Sequence, residues 1–191
     1  SMRPEERESA ERSLRVARWL DRNRVPVAPP WRDGPLDPFV VRGQAVTFWE
    51  EMGRSRPSKA KFGEALRQVH SHTFVPVGLR LPTFDPVKLA AWATRAAPGI
   101  LSTEQEAFAR ARLGELGEQY KELRFALPPG IIHGDSHVAN ALTRPGPRND
   151  AVISDWDFAS VGPREWDLIP TALEQFRMGA PKTDQEKFAR A

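Results

Sequence analysis

The feature that most limits what this chain can fold into is the stretch from Ile131 to Asp157, which reads IIHGDSHVANALTRPGPRNDAVISDWD. Two short β-prone runs, Ala141-Leu142-Thr143 and Ala151-Val152-Ile153, flank a turn built from Pro145, Gly146, Pro147 and Asn149. Such a pattern predicts an antiparallel hairpin. With the turn centred near Pro147, Asn140 and Asp155 come back opposite one another. An apolar lead-in, Ile131-Ile132, and a polar loop, His133-Gly134-Asp135-Ser136-His137, precede the first arm. The hairpin therefore brings an amide oxygen and a carboxylate together beside a loop that holds a second carboxylate, Asp135.

Phosphoryl transfer needs such a set. A hard divalent cation such as Mg²⁺ takes oxygen ligands and keeps few of them from the protein. Asn140 and Asp155 supply two, and Asp135 is placed to orient or accept the proton of an attacking hydroxyl. In this stretch the chain resembles the aminoglycoside phosphotransferase family, relatives of the protein kinases. That family's catalytic loop reads His-Gly-Asp-x-His-x-x-Asn, and His133, Gly134, Asp135, His137 and Asn140 stand in that register. Its metal aspartate follows an apolar strand, often as Ile-Asp-Trp; here Ile153-Ser154-Asp155-Trp156 carries one extra residue. A downstream Gly-Pro-x-x-x-Asp-Leu is matched by Gly162, Pro163, Asp167 and Leu168.

The resemblance implies an α+β, protein-kinase-like fold. Residues 1–50 form part of an N-lobe, with one helix and two strands. Residues 51–53 form the hinge, and residues 54–191 a mostly helical C-lobe carrying the catalytic β-hairpin. It implies Asp135 as catalytic base, His133 as the catalytic residue that braces the loop, and Asn140 and Asp155 as Mg²⁺ ligands. Asp167 braces the loop through backbone hydrogen bonds. Asp157 and His137 are further candidates, Asp157 for the metal or acceptor and His137 for a structural part. Phe48, Trp49, Glu50, Glu51 and Met52 are the expected binding stretch for the base of ATP or GTP. The acceptor is a hydroxyl of a small molecule, an aminoglycoside-like antibiotic or a metabolite; fold and motif do not choose between them.

Composition narrows the setting. The chain has 191 residues, 40% hydrophobic and 28% charged, enough for one domain or for one large and one small lobe. It has no cysteine, which removes disulfides and thiolate metal sites and fits the cytoplasm. No apolar run reaches membrane-spanning length, and the first residues lack an apolar signal core. The net charge of +3 is not gathered into a tract, so a solvated surface is expected rather than a nucleic-acid or membrane partner.

Taken in order, residues from about Glu5 to Asn23 predict a helix, with Ala10, Leu14, Ala17 and Leu20 at helical spacing. In the family this helix carries a Glu that pairs with a phosphate-binding Lys; Ser13 falls there, with Glu11 two residues away, and the role is left unassigned. Pro38–Val41 and Ala45–Trp49 predict two strands around Gly43. Lys59 to His72 predicts a helix striped by Phe62, Leu66 and Val69, with His70 beside the stripe as a packed residue. Asp85-Pro86 caps and starts a helix ending at Pro98-Gly99. Ser102 to Gln105 carries a capping-box pattern ahead of a helix whose Phe108, Leu113, Leu116, Tyr120 and Leu123 predict core packing. A helix over Trp166 to Met178 and the start of another after Lys182 complete the chain.

In the family, a glycine-bearing hairpin and a strand lysine precede the first helix. Here the first glycine is Gly34 and the first lysine Lys59. The chain is thus expected to be a fragment, without the first N-lobe strands and the C-terminal helices, and inactive or nearly so by itself. An unpaired edge on the Val46–Trp49 strand predicts a homodimer or domain swap. Two other readings remain open. One is a metal-dependent hydrolase built on His133, Asp135 and His137 with Asp155 and Asp157. The other is a non-catalytic kinase-like binding module.

Overall fold

The computed structural model describes residues 4–53, 55–96 and 99–191. It divides into two compact units, Ser1–Pro82 with Leu127–Ala191, and Thr83–Ala126. The mixture of helices with small antiparallel sheets is the expected α+β class.

In the first unit, α1 (Pro4–Arg22) buries Leu14, Ala17 and Leu20 of the face that spacing predicts, with Val16 beside them, while Ala10 is only partly covered. The chain leaves it through Arg24, whose φ is +61°, and Val25–Ala28 then runs beside the hairpin expected around Pro147. That hairpin consists of β4 (Ala141–Thr143) and β5 (Ala151–Ile153), paired Ala141 to Ile153 and Thr143 to Ala151. Ala28 N donates to Ile153 O at 2.8 Å and Ile153 N to Pro26 O at 3.0 Å, so the segment after α1 extends the sheet along β5. On the other side, Gly53 N donates to Thr143 O at 2.7 Å along β4.

The small hairpin of β1 (Phe39–Val41) and β2 (Gln44–Val46) turns through Arg42 and Gly43, at φ +51° and +80°. Both residues in the left-handed region give the two-residue turn whose twist matches paired strands. The second expected strand ends early. Trp49 instead bridges Pro30, with Trp31 N donating to Phe48 O and Glu50 N to Pro29 O, both at 3.0 Å. The Phe48–Glu50 segment is therefore paired, and the exposed strand is β1, whose Phe39, Val40 and Val41 are all about half exposed at 50%, 53% and 51%.

α2 (Lys59–His70) starts at Ser58, whose hydroxyl accepts from Lys61 N, and buries Phe62, Ala65, Leu66 and Val69. These residues meet α1, β5, Trp156 and Phe188 in one core. Phe188 belongs to α6 (Lys182–Arg190), and its ring stacks on Phe62 with centroids 5.5 Å apart. A pairing that spacing did not reveal closes the base of the stretch from His133 to Asp157. β3 (Gly130–Ile132) pairs antiparallel with β6 (Ser160–Gly162). α5 (Ile169–Met178) follows a 3₁₀ turn over Arg164–Leu168 and ends at Gly179, in the left-handed conformation of a helix C-terminus.

In the second unit, α3 (Pro86–Ala96) is capped by Asp85, whose Oδ1 accepts from Val87 N and Lys88 N at 3.0 and 3.1 Å. Its expected stop at Pro98 lies outside the described residues. α4 (Thr103–Glu122) carries the full capping box between Ser102 and Gln105. Its expected core face is not buried. Phe108 is 72% exposed, Leu123 57% and Leu116 44%, and only Gly117 is fully covered, against Val87. Two helices meet along one line, so this unit shields a small residue at the crossing and little else.

Candidate active site

The polar loop after β3 is fixed from beneath by one buried carboxylate. Asp167, fully shielded from solvent, accepts from His133 N at 2.8 Å and from Gly134 N at 2.9 Å. The His70 ring Nε2 lies 2.9 Å from the same carboxylate. Three donors on one buried carboxylate replace the water it has lost. His70, read from sequence as a packed residue, thus ties α2 to the loop. Trp166 adds a fourth tie, its indole N–H donating to Gly134 O at 3.0 Å. Gly134 itself has φ +87°, and a Cβ there would sit 2.5 Å from Phe158 O, so only glycine fits.

His133 is also fully buried, its ring packed on Trp156 at 4.8 Å between centroids. Its Nε2 lies 2.8 Å from Ser154 O, a pure acceptor, so that nitrogen carries the proton. Its Nδ1 then accepts from Asp135 N at 3.3 Å. Both ring nitrogens are occupied, and the imidazole joins the loop to the end of β5.

At the loop's other end, the Asn140 amide donates to Asp135 O at 2.9 Å and to Asp135 Oδ2 at 3.1 Å. An amide whose NH₂ is committed in this way keeps its oxygen available as an acceptor or ligand. Asn140 O accepts from Ser154 N at 2.8 Å and from Ser154 Oγ at 2.9 Å. The hairpin thus seats Asn140 against the residue that precedes Asp155. His137 Nε2 lies 3.4 Å from Asp135 Oδ2, and both side chains stay partly open to solvent.

Asp155 takes φ +64°, a left-handed conformation uncommon outside glycine that Asp tolerates better than most residues. Asp157 stands two residues on. Loss of surrounding water pushes its carboxyl above the usual carboxylate range, and the neighbouring Asp155 charge pushes it further, while the Arg12 charge opposes the shift. The residue keeps a solvent-facing surface while its carboxyl is crowded by protein. Asp155 and Asp157 put two like charges near one another, which a divalent cation would relieve.

Among the described residues no three His, Asp or Glu side chains form a group able to hold a metal by themselves. A site made of Asn140 with Asp155 needs only one amide and one carboxylate oxygen from the protein, which fits a hard cation. It does not fit the hydrolase reading, which needs His133 as a ligand while both its nitrogens are spent.

The expected base-binding stretch is held at both ends, through Phe48 and Glu50 on the Pro29–Trp31 segment and through Gly53 on β4. Glu51 and Met52 lie between these fixed points. Glu50 Oε1 also accepts from Arg32 N at 3.1 Å.

Known proteins share this architecture. The chain is similar to a choline kinase from Streptococcus pneumoniae at 15% identity and a TM-score of 0.63, over 98% of this chain and 64% of that one. It is similar to an aminoglycoside phosphotransferase from Streptomyces rimosus, solved with ADP and streptomycin, at 18% identity and a TM-score of 0.61, over 98% and 76%. It also resembles an aminoglycoside phosphotransferase solved with GDP and kanamycin, at 16% identity and a TM-score of 0.57, over 95% and 65%. The chain spans less than two thirds of the first and third of these. No curated protein matches it. At such identities the likeness shows the fold, which is the protein-kinase-like one. A family model described as the phosphotransferase enzyme family matches residues 2–191, and the chain belongs to that family.

Proposed function

We propose that the protein is a nucleotide-dependent phosphotransferase that moves the γ-phosphate of ATP or GTP to a hydroxyl of a small molecule. The acceptor class is an aminoglycoside-like antibiotic or a metabolite. The observation that carries this reading is the Asn140 bridge, which holds the Asp135 carboxylate with its amide nitrogen and Ser154, beside Asp155, with its carbonyl. A metal-bound phosphate requires three oxygen-bearing side chains at one point, and Asp155 follows directly on the tied Ser154.

In this reading Asp135 takes the proton of the acceptor hydroxyl at a carboxylate oxygen. The freed oxygen forms a bond to the γ-phosphorus as the bond to the β-phosphate oxygen breaks, and nucleoside diphosphate leaves. Asn140 keeps Asp135 aimed. His133 and Asp167 hold the loop rather than touch the acceptor, since their polar atoms are already committed within the protein. Asn140 and Asp155, with Asp157 nearby, would hold Mg²⁺, which neutralises developing charge on the phosphates when bound. Backbone groups at Glu51 and Met52 would read the base, with residues 1–50 as part of the small lobe, 51–53 as the hinge and 54–191 as the catalytic lobe. The setting is the cytoplasm, in line with a chain in which no described helix is long and apolar enough to cross a membrane.

Within these 191 residues no glycine-bearing hairpin and strand lysine precede α1, and the chain tested alone is expected to show little or no turnover. In the full-length protein, Asp135→Asn should lower kcat by at least a hundredfold, a general base contributing about 10²–10⁴, while Mg·nucleotide still binds. Asp155→Ala should weaken Mg·nucleotide binding itself. Turnover that survives both substitutions would overturn the assignment. A thermal-shift screen against nucleotides and hydroxylated compounds would name the acceptor, since a ligand of the native state raises its melting temperature.

A further inference from the structure

Three side-chain hydrogen bonds reach Asp157 from a helix about 145 residues earlier, and the roles proposed above leave them unused. Ser9 and Arg12 stand at i and i+3 on α1 and so share one face. Ser9 Oγ donates to Asp157 O at 3.2 Å and Arg12 Nε donates to the same carbonyl at 3.1 Å. Arg12 Nη2 donates to it as well, completing a two-pronged grip. Arg12 is half withdrawn from water, and burial lowers its guanidinium from the usual range while Glu8 and Asp157 counter that. A guanidinium gives up hydration at a cost, and here the return is the fixed position of one peptide group.

That peptide group lies two residues beyond Asp155. On the near side Ser154 is tied by Asn140 and His133. On the far side Asp157 is tied by α1. Asp155, in its left-handed conformation, is therefore spanned between two anchors, and one of them is Arg12.

We propose that Arg12 is a positioning residue for the metal aspartate: its grip on Asp157 O holds Asp155 in the conformation that receives the divalent cation of a nucleoside di- or triphosphate. This rests on the metal-site reading given above. Outer partners that orient a metal ligand typically contribute 10–100-fold in metal affinity.

The test titrates ADP and GDP into the full-length protein over a range of Mg²⁺ concentrations, for wild type, Arg12→Met, Arg12→Lys and Asp155→Ala. Backbone hydrogen exchange of residues 154–158 is measured without metal. Arg12→Met is expected to raise the Mg²⁺ needed for half-maximal nucleotide binding by about tenfold, to raise exchange at 154–158, and to leave Mg²⁺-free nucleotide affinity unchanged. Arg12→Lys, with one ammonium for a fork, should fall between wild type and Arg12→Met. A folded Arg12→Met protein with wild-type Mg²⁺ dependence overturns the proposal, and so does an equal loss of nucleotide affinity with and without Mg²⁺. If Arg12→Met does not fold, Arg12→Lys decides on the same criteria. Asp155→Ala separates the two failures. If it too keeps wild-type Mg²⁺ dependence, the metal-site reading falls along with this one. If it loses that dependence while the Arg12 variants keep it, only the role of Arg12 is overturned.

Discussion

At the scale of single residues, the site depends on carboxylates and imidazoles whose hydrogen-bonding capacity is spent inside the protein. Asp167 shows what such a residue is worth. Its two oxygens serve two backbone N–H groups and the His70 ring with no solvent access. Asp167→Ala strands all three donors at once, and breaking a buried charged network by removing one partner costs about 3–5 kcal/mol. His70→Ala removes one donor of three and should cost about 1–3 kcal/mol. Urea denaturation of both variants checks the ranking. If His70→Ala costs as much as Asp167→Ala, the backbone bonds to the loop contribute little and the histidine carries the network. His133 works on similar terms, because its tautomer follows from a carbonyl at one nitrogen and an amide at the other.

At the scale of elements, what the sequence disclosed depended on how local the information was. The hairpin of β4 and β5 was legible because both arms and their turn are contiguous in sequence, but its register differs by one residue from the expected opposition of Asn140 and Asp155: Ala141 pairs with Ile153, so Asn140 faces Ser154. The caps of α3 and α4 were legible because Asp85 and Ser102 bond their own following turns. By contrast, β3 and β6 are three residues each, with the whole catalytic stretch between them, and no periodicity announces such a pair. The polar face of α1 that meets Asp157 looked like ordinary solvated surface, because its partner is remote in sequence. The face of α4 misled in the opposite direction, since apolar spacing records a helix face but not whether anything covers it. Packing of α6 on α2 was also hidden, and it is testable. A Cβ on Gly63 would lie 2.6 Å from Phe188 O, so Gly63→Ala must push the two helices apart. Forced overpacking of this kind costs about 1–3 kcal/mol. Phe188→Ala empties the same contact and should cost about 3–5 kcal/mol, read as lower melting temperatures in both variants.

At the scale of the whole molecule, what remains is the apolar surface that the fold leaves uncovered. β1 pairs with β2 and, among the described residues, with no other strand. Its Phe39, Val40 and Val41 stand about half exposed, near the rings of Phe48 and Trp31, which pack edge-on to one another. A strand that offers apolar side chains and unpaired backbone groups is a template for another strand. The small net charge of +3 does little to keep two copies apart. This chain is therefore expected to self-associate through β1, with a sedimentation coefficient that rises with loading concentration. Val40→Lys places a charge in the middle of the exposed strand without touching the core, and should return the chain to a concentration-independent monomer. Wild-type protein that sediments as a single monomer at every concentration would show that this edge attracts no second copy.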